Sequence, residues 1–238
     1  IDERLRGAPR DPGRICNAYQ FRRFIRTKVD NLVEVNHADY GIPQGTPLSG
    51  LYANISMIDF DEHMHAHFSY IGASYRRYSD DIAIVMPAGI DVAEQVDFVK
   101  SYLSGMGLAL SAAKTDISTF KFSSGALASD KPFQYLGFTF DGKKILIRQS
   151  SLNRYYAKMK SGVVAKVIAA KRKGVPSDSI YMRELFRKYT HFGKHRNFPR
   201  YVYRASSELG SPEMRAQIAN HFEIFKEVTR ITVDSVYS

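Results

Sequence analysis

Residues 75–85 read YRRYSDDIAIV, and the fold class turns on how that stretch bends. Tyr75 to Met86 divides at Ser79-Asp80-Asp81, with an aromatic-rich run before it and the apolar run Ile82-Ala83-Ile84-Val85 after it. Turn-prone polar residues between two β-prone runs give strand, tight turn, strand. The corner therefore carries two adjacent carboxylates. Like charges this close repel, so they persist together where a cation offsets them, which points to a hard divalent metal held by oxygen ligands. Successive side chains of a strand leave opposite faces, so Asp80 and Asp81 cannot project equally into one site, and a third carboxylate from another strand is needed. Aspartates also occur in turns for local hydrogen bonding alone, and the pair in isolation leaves both readings open.

Working outward, Pro47 to Met64 has the pattern of a helix: Thr46 as its cap, Pro47 in its first position, and Leu48, Leu51, Tyr52, Ile55 and Ile58 at helical spacing. Asp91 to Met106 gives a second helix, with Val92, Val96, Val99, Leu103 and Met106 on one stripe, an Asp91/Glu94 capping box, and Gly107 to end it in the left-handed region. Phe133 to Ile147 reads as a second hairpin, in which FQYLGFTF and KKILI flank the turn signal Asp141-Gly142. Helix, hairpin, helix and hairpin in this order predict an α+β domain with an antiparallel sheet. Beyond Ser150 the pattern is helical: 151–173, about 178–196 and 211–229, separated by Gly174-Val175-Pro176 and by the Phe198-Pro199 region, with Ser211 and Pro212 starting the last. A boundary near 150 follows, with a mixed domain over 1–150 and a helical one over 151–238.

Charge divides at the same place. The 238-residue chain has a formal net charge of +10, yet residues 1–150 hold 17 basic and 17 acidic side chains while 151–238 hold 17 and 7. The whole excess lies in the last third, interleaved with Tyr155, Tyr156, Tyr181, Tyr189, Tyr201 and Tyr203. Such a surface suits phosphates and stacking on bases or sugars; a solvated helical face over an aromatic core has the same composition. No apolar run approaches the roughly 18 to 20 residues of a membrane span, and no basic-then-apolar leader opens the chain, so a cytoplasmic protein is expected. A single cysteine, Cys16, excludes an internal disulfide, a cysteine-based zinc cluster and a redox pair. His63, His65 and His67, two apart on a helix, fall on different faces without CxxC or HExxH, which argues against zinc. An opening isoleucine implies that sequence precedes residue 1.

Four segments occur in order: GIPQGTPLSGLYANI at 41–55, YRRYSDDIAIV at 75–85, GLALSAAKTDI at 107–117 and FQYLGFTF at 133–140. Together they resemble the palm motifs of reverse transcriptases: the PQG segment, the YXDD box, the glycine-to-lysine segment and the LG primer-grip hairpin. The resemblance implies a polymerase palm with an antiparallel sheet and packed helices over 1–150, its fingers and first catalytic aspartate strand lying upstream, and a helical thumb over 151–238. It implies RNA-directed DNA synthesis from deoxynucleoside triphosphates. Asp80 and Asp81 are then catalytic residues holding two Mg²⁺ ions, with Mn²⁺ as a substitute. Pro43, Gln44 and Gly45 lie against the incoming nucleotide, with Gly41 and Gly45 permitting close backbone approach, and Lys114 approaches the triphosphate. Tyr135, Leu136 and Gly137 press on the primer end, and Arg76, Arg154, Lys158, Lys171, Arg172 and Lys173 are candidate nucleic-acid contacts.

The chain departs from the family pattern in three places. The metal-binding aspartate expected before the PQG segment has no match from residue 1 onward, although Ile1-Asp2-Glu3-Arg4-Leu5 resembles the pair that follows it. Serine stands in YSDD where many bacterial relatives have alanine, and the last third shows neither the retron valine-threonine-glycine signature nor a maturase or endonuclease extension. FDGKKILIRQSSLNRYYAKM, residues 140–159, is closer to reverse transcriptases of phage-defence and abortive-infection systems. That likeness implies a template or noncoding RNA, a DNA product, and a companion defence protein or a homo-oligomer as partners. Two other readings are a noncatalytic nucleic-acid-binding subunit of polymerase fold, and a group II intron or retron-type enzyme.

Overall fold

A computed structural model of the chain describes residues 17–26, 41–42, 45–123, 125–192 and 197–238. The chain divides into two compact units, 1–56 and 57–238. Pro43, Gln44, Cys16 and the opening Ile1-to-Leu5 segment lie outside the described residues.

In the first unit, Asn17 and Gln20 exchange side-chain-to-backbone bonds of 2.8 and 3.1 Å, a reciprocal cap on the short helix Ala18–Gln20 (α1). The helix expected over Pro47 to Met64 is two helices, Ser49–Ile55 (α2) and Ile58–Tyr70 (α3), parted by a turn at residues 56–57. Side chains account for the break. Asn54 Nδ2 donates to the Gly50 carbonyl at 3.0 Å and the Ser56 hydroxyl to the Ala53 carbonyl at 3.0 Å, offering the backbone acceptors an alternative to continued helix. Nor does Thr46 cap the start: Leu48 takes the cap position, and the Thr46 and Ser49 hydroxyls bond each other at 2.7 Å.

The second unit begins with α3, whose Phe60, Met64 and Phe68 recur every four residues and are fully buried. Each such side chain contributes about 1.5–3 kcal/mol of burial. They pack with Tyr75 of the strand Ser74–Tyr78 (β1) and with Val99 and Leu103 of the helix Val92–Gly105 (α4). β1 pairs antiparallel with Asp81–Val85 (β2), Tyr78 opposite Asp81, as YRRYSDDIAIV predicted. The Asp91 carboxylate caps α4 by accepting from the Ala93 and Glu94 amides, and Gly107 has φ 73°.

A hairpin that the sequence reading missed, Phe120–Ser123 (β3) with Ala126–Ser129 (β4), comes next. The segment read as one strand, FQYLGFTF, is two: Phe133–Tyr135 (β5) and Phe138–Phe140 (β6), turning at Leu136-Gly137, with Ile145–Ile147 (β7) beyond. The Asp141-Gly142 signal produces a four-residue loop rather than a two-residue turn, since Phe140 pairs with Ile145. Asp141 Oδ1 accepts from the amides of Lys143 and Lys144 and so keeps both lysines out of the strand.

Gln149–Arg172 (α5) matches its expected span and joins two cores. Near its start Leu152 packs with Ile147, Val202, Met214 and Ile218; farther along, Tyr155, Met159, Val163 and Val167 pack with Tyr189 and Phe225. Tyr189 belongs to Arg183–Tyr189 (α6), shorter than the helix expected there. Phe198-Pro199, read as a separator, opens a helix, Phe198–Glu208 (α7), because Asn197 caps it and proline fits its first turn. The single helix expected over 211–229 is Glu213–Gln217 (α8) and His221–Tyr237 (α9). Its break lies where the His221 ring bonds the Ile218 carbonyl at 2.6 Å, competing with the next helical amide for that acceptor. Gln217 instead turns its amide onto β7, accepting from the Ile147 N–H at 2.8 Å and donating to its carbonyl at 3.0 Å, which covers the sheet edge. Helices with small antiparallel sheets make the α+β class the sequence predicted. No helix among the described residues is long and apolar enough to cross a membrane.

Candidate active site at the β1–β2 corner

Tyr78 and Asp81 close the β1–β2 ladder, leaving Ser79 and Asp80 as a two-residue turn. Ser79 has φ 58°, while Asp80 is not in the left-handed region, the pattern of a type II′ turn, whose first position favours glycine. Asp80 stands at the tip and Asp81 opens β2; both are exposed. No group of three acidic, histidine or cysteine side chains able to hold a metal converges among the described residues; Asp80 and Asp81 are adjacent carboxylates at this corner. One or two carboxylates completed by substrate phosphates and water are the donor set Mg²⁺ commonly takes.

Behind the turn lies a network that the sequence reading missed. Tyr75 and Arg77 point to the same face of β1, toward α3. Arg77 pairs bidentately with Asp61 of α3, Nε to Oδ1 at 2.7 Å and Nη2 to Oδ2 at 2.5 Å, and the Tyr75 hydroxyl donates to the same Oδ1 at 2.7 Å. Arg77 Nη1 donates to the Ser79 carbonyl at 2.7 Å. The hydrogen bonds from Arg77 hold the Asp61 carboxyl below its ordinary range, and burial beside that carboxylate pushes the Tyr75 phenol up. A signal existed in the sequence: the alternation that places Tyr75 in the core also places Arg77 there, and a buried guanidinium requires a partner.

The second motif turn sits close by. Tyr135, at the end of β5, is half-buried, and its phenol is raised first by burial and then by the negative charge of Asp81, against which Arg76 and Arg77 act. The YSDD and LG corners thus lie within electrostatic reach of each other. At the LG corner Leu136 has φ 48° and Gly137 φ 86°, both left-handed as a type I′ turn requires. The Gly137 carbonyl accepts from the Arg148 amide at 2.9 Å, tying this corner to the start of α5. Ser79 and Leu136 are the non-glycine residues with positive φ among those described.

The family model described as reverse transcriptase (RNA-dependent DNA polymerase) matches residues 14–140, more than half of the chain. The chain belongs to the reverse transcriptase family. No curated protein matches it. Membership implies nucleic acid and nucleotides as substrates and polymerisation as the general activity. The reverse transcriptase match takes in the YSDD corner and the LG corner and ends with β6, leaving α5 to α9 outside it.

The remaining expected site residues lie on separate elements. Gly45, in the first unit, has φ 89° and is exposed with open space around it. Lys114 ends a 3₁₀ turn, Ala112–Lys114, and is exposed. Arg76 is exposed on β1 and donates to the Tyr75 carbonyl at 2.7 Å. Arg154 and Lys158 lie one turn apart on the exposed side of α5, and Arg172 is about 27 Å from Arg154 along that helix. Lys171 has partners within the protein: its ammonium donates to the Val236 carbonyl near the end of α9 and lies 5.7 Å from the Tyr237 ring. Arg172 and Lys173 are exposed.

Proposed function

We propose that this reverse transcriptase family member adds deoxynucleotides to a growing 3′ end at the β1–β2 corner. Asp80 and Asp81 hold Mg²⁺, or Mn²⁺ in its place, with a third carboxylate completing the site. The bound cations supply charge stabilisation for the attacking 3′ oxygen and the departing pyrophosphate. The observation that supports this reading most is the nearness of two family motifs within the matched segment: the Asp81 charge is felt at Tyr135 of the LG corner, so a primer end bound at one corner would meet the other. Tyr135, Leu136 and Gly137 bear on the primer; Gln44 with its neighbours Pro43 and Gly45 contacts the incoming nucleotide, and Lys114 its phosphates. Residues 1–150 act as palm and 151–238 as thumb. Arg76, Arg154 and Lys158 follow the nucleic-acid backbone nearest the corner, and Arg172 and Lys173 engage it at the far end of α5. The likeness of residues 140–159 to phage-defence enzymes supports a role in bacterial antiviral defence, acting in the cytoplasm with an RNA partner.

Primer extension by the full-length protein tests this. Incorporation depends on Mg²⁺ or Mn²⁺ and falls by at least about a thousandfold in Asp80→Asn and Asp81→Asn, the scale on which removing transition-state electrostatics acts. Undiminished synthesis by these variants would remove the corner from the chemistry. RNA binding without metal-dependent incorporation by the wild type would instead favour a noncatalytic subunit.

A further inference from the structure

We propose that Arg77 and Asp61 form a brace that sets the orientation of the Ser79–Asp80 peptide, and with it the direction in which the carboxylate at the tip of the corner is presented. Its effect on turnover rests on the polymerase reading above; its effect on the turn does not.

Two-residue hairpin turns of types I′ and II′ differ by rotation of the central peptide, here the one joining Ser79 to Asp80. The II′ form seen at this corner suits glycine at its first position, yet the residue is serine with φ 58°. A non-glycine residue in such a conformation persists where its surroundings over-determine it. The surroundings here are specific. The Ser79 carbonyl, one end of the peptide that would rotate, accepts from Arg77 Nη1 at 2.7 Å.

That donor is itself fixed. A guanidinium is planar with its donors in a rigid fork, so once two donors are committed to one carboxylate the direction of the third follows. Nε and Nη2 are both bound to Asp61, and the Arg77 side chain is only 9% exposed. Asp61 is held in turn by the Tyr75 hydroxyl, and it neighbours Phe60, which is fully buried in the first core. A continuous rigid path therefore runs from the core of α3 through Asp61 and Arg77 to the carbonyl adjoining Asp80. Arg77 acts here through Asp61 and the Ser79 carbonyl, which makes it a positioning residue. A lysine retains the charge but not the fork and cannot reproduce this geometry.

The test compares the full-length protein carrying Arg77→Lys or Asp61→Asn, each with and without Ser79→Gly, by crystal structure at the turn, by steady-state incorporation kinetics and by thermal midpoint. In Arg77→Lys the Ser79–Asp80 peptide rotates, and kcat falls roughly 10- to 100-fold, the cost of small misplacement at a reacting centre, while KM for the nucleotide is nearly unchanged. Adding Ser79→Gly recovers most of the lost kcat, because glycine favours the II′ form without a brace. Asp61→Asn, which keeps the side-chain shape, shows the same pattern at smaller size and serves if Arg77→Lys does not fold. An unrotated peptide in both single variants, or a kcat loss that Ser79→Gly does not restore, would overturn the brace. Wild-type protein that fails to incorporate nucleotides would instead sink the polymerase reading, and the turn geometry of the variants would still decide for or against the brace.

Discussion

The YSDD and LG corners are both two-residue turns between antiparallel strands, and both hold a non-glycine residue in the left-handed region, yet they are secured differently. At the LG corner the chain carries its own solution: Gly137 takes one of the two positive φ angles at no steric cost, and its carbonyl is satisfied by the backbone amide of Arg148. At the YSDD corner neither turn residue is glycine, and the carbonyl of the strained serine is held from outside by Arg77. A turn stabilised by its own sequence is robust to changes elsewhere. One held through an ion pair to a helix can be moved by a substitution elsewhere in the chain, since Asp61 of α3 is separated from Ser79 by 18 positions.

The contrast can be sharpened by substitutions of opposite sign. Gly137→Ala places a side chain at φ 86° and lowers stability by about 1–2 kcal/mol, although a Cβ there would meet open space. Ser79→Gly relieves strain of similar size and gives back part of it to the greater freedom of the unfolded chain, for a net gain of roughly 0.5–1 kcal/mol. Thermal or denaturant midpoints measure both; two shifts of the same sign would erase the distinction drawn between the corners.

A smaller effect appears in acid. The Asp61 carboxyl is depressed by Arg77, whereas Asp141, in the β6–β7 loop, is depressed by the amides of Lys144 and Lys143. A carboxyl lowered by folding contributes stability that is complete above its unfolded value, near 3.8, and is lost as pH falls through the lower folded value. Arg77→Gln raises the Asp61 midpoint toward 3.8 and removes its share of that acid-side loss, while leaving Asp141 where it was. Carboxyl-carbon NMR titration reads the two separately, and an Asp61 midpoint insensitive to Arg77→Gln would contradict the pairing.

The sequence made the family more legible than the architecture. The β1–β2 hairpin, α4 with its Asp91 cap, the span of α5 and the family itself were readable, because each rests on local periodicity or on an ordered motif series. Misreadings cluster where a side chain competes for backbone hydrogen bonds: Asn54 and Ser56 between α2 and α3, Asp141 in the β6–β7 loop, His221 between α8 and α9. Such competition leaves little trace in hydrophobic patterning. Phe198-Pro199 was misread for a related reason, since proline ends most patterns but fits a first turn once Asn197 caps it. Of the site, Asp80, Asp81 and the LG corner were visible as motifs, whereas the Arg77–Asp61 pair joins residues 16 apart through packing that no local pattern encodes.

The central claim is that the corner between β1 and β2 holds divalent cations where nucleotides are added. Anomalous scattering from crystals of the full-length protein with Mn²⁺, a primer–template and a non-hydrolysable nucleotide tests it most directly. The expected result is manganese bound to carboxylate oxygens of Asp80 or Asp81 at about 2.0–2.2 Å, a distance close to that of Mg²⁺ ligation. Manganese on the nucleotide with both carboxylates unligated would contradict it.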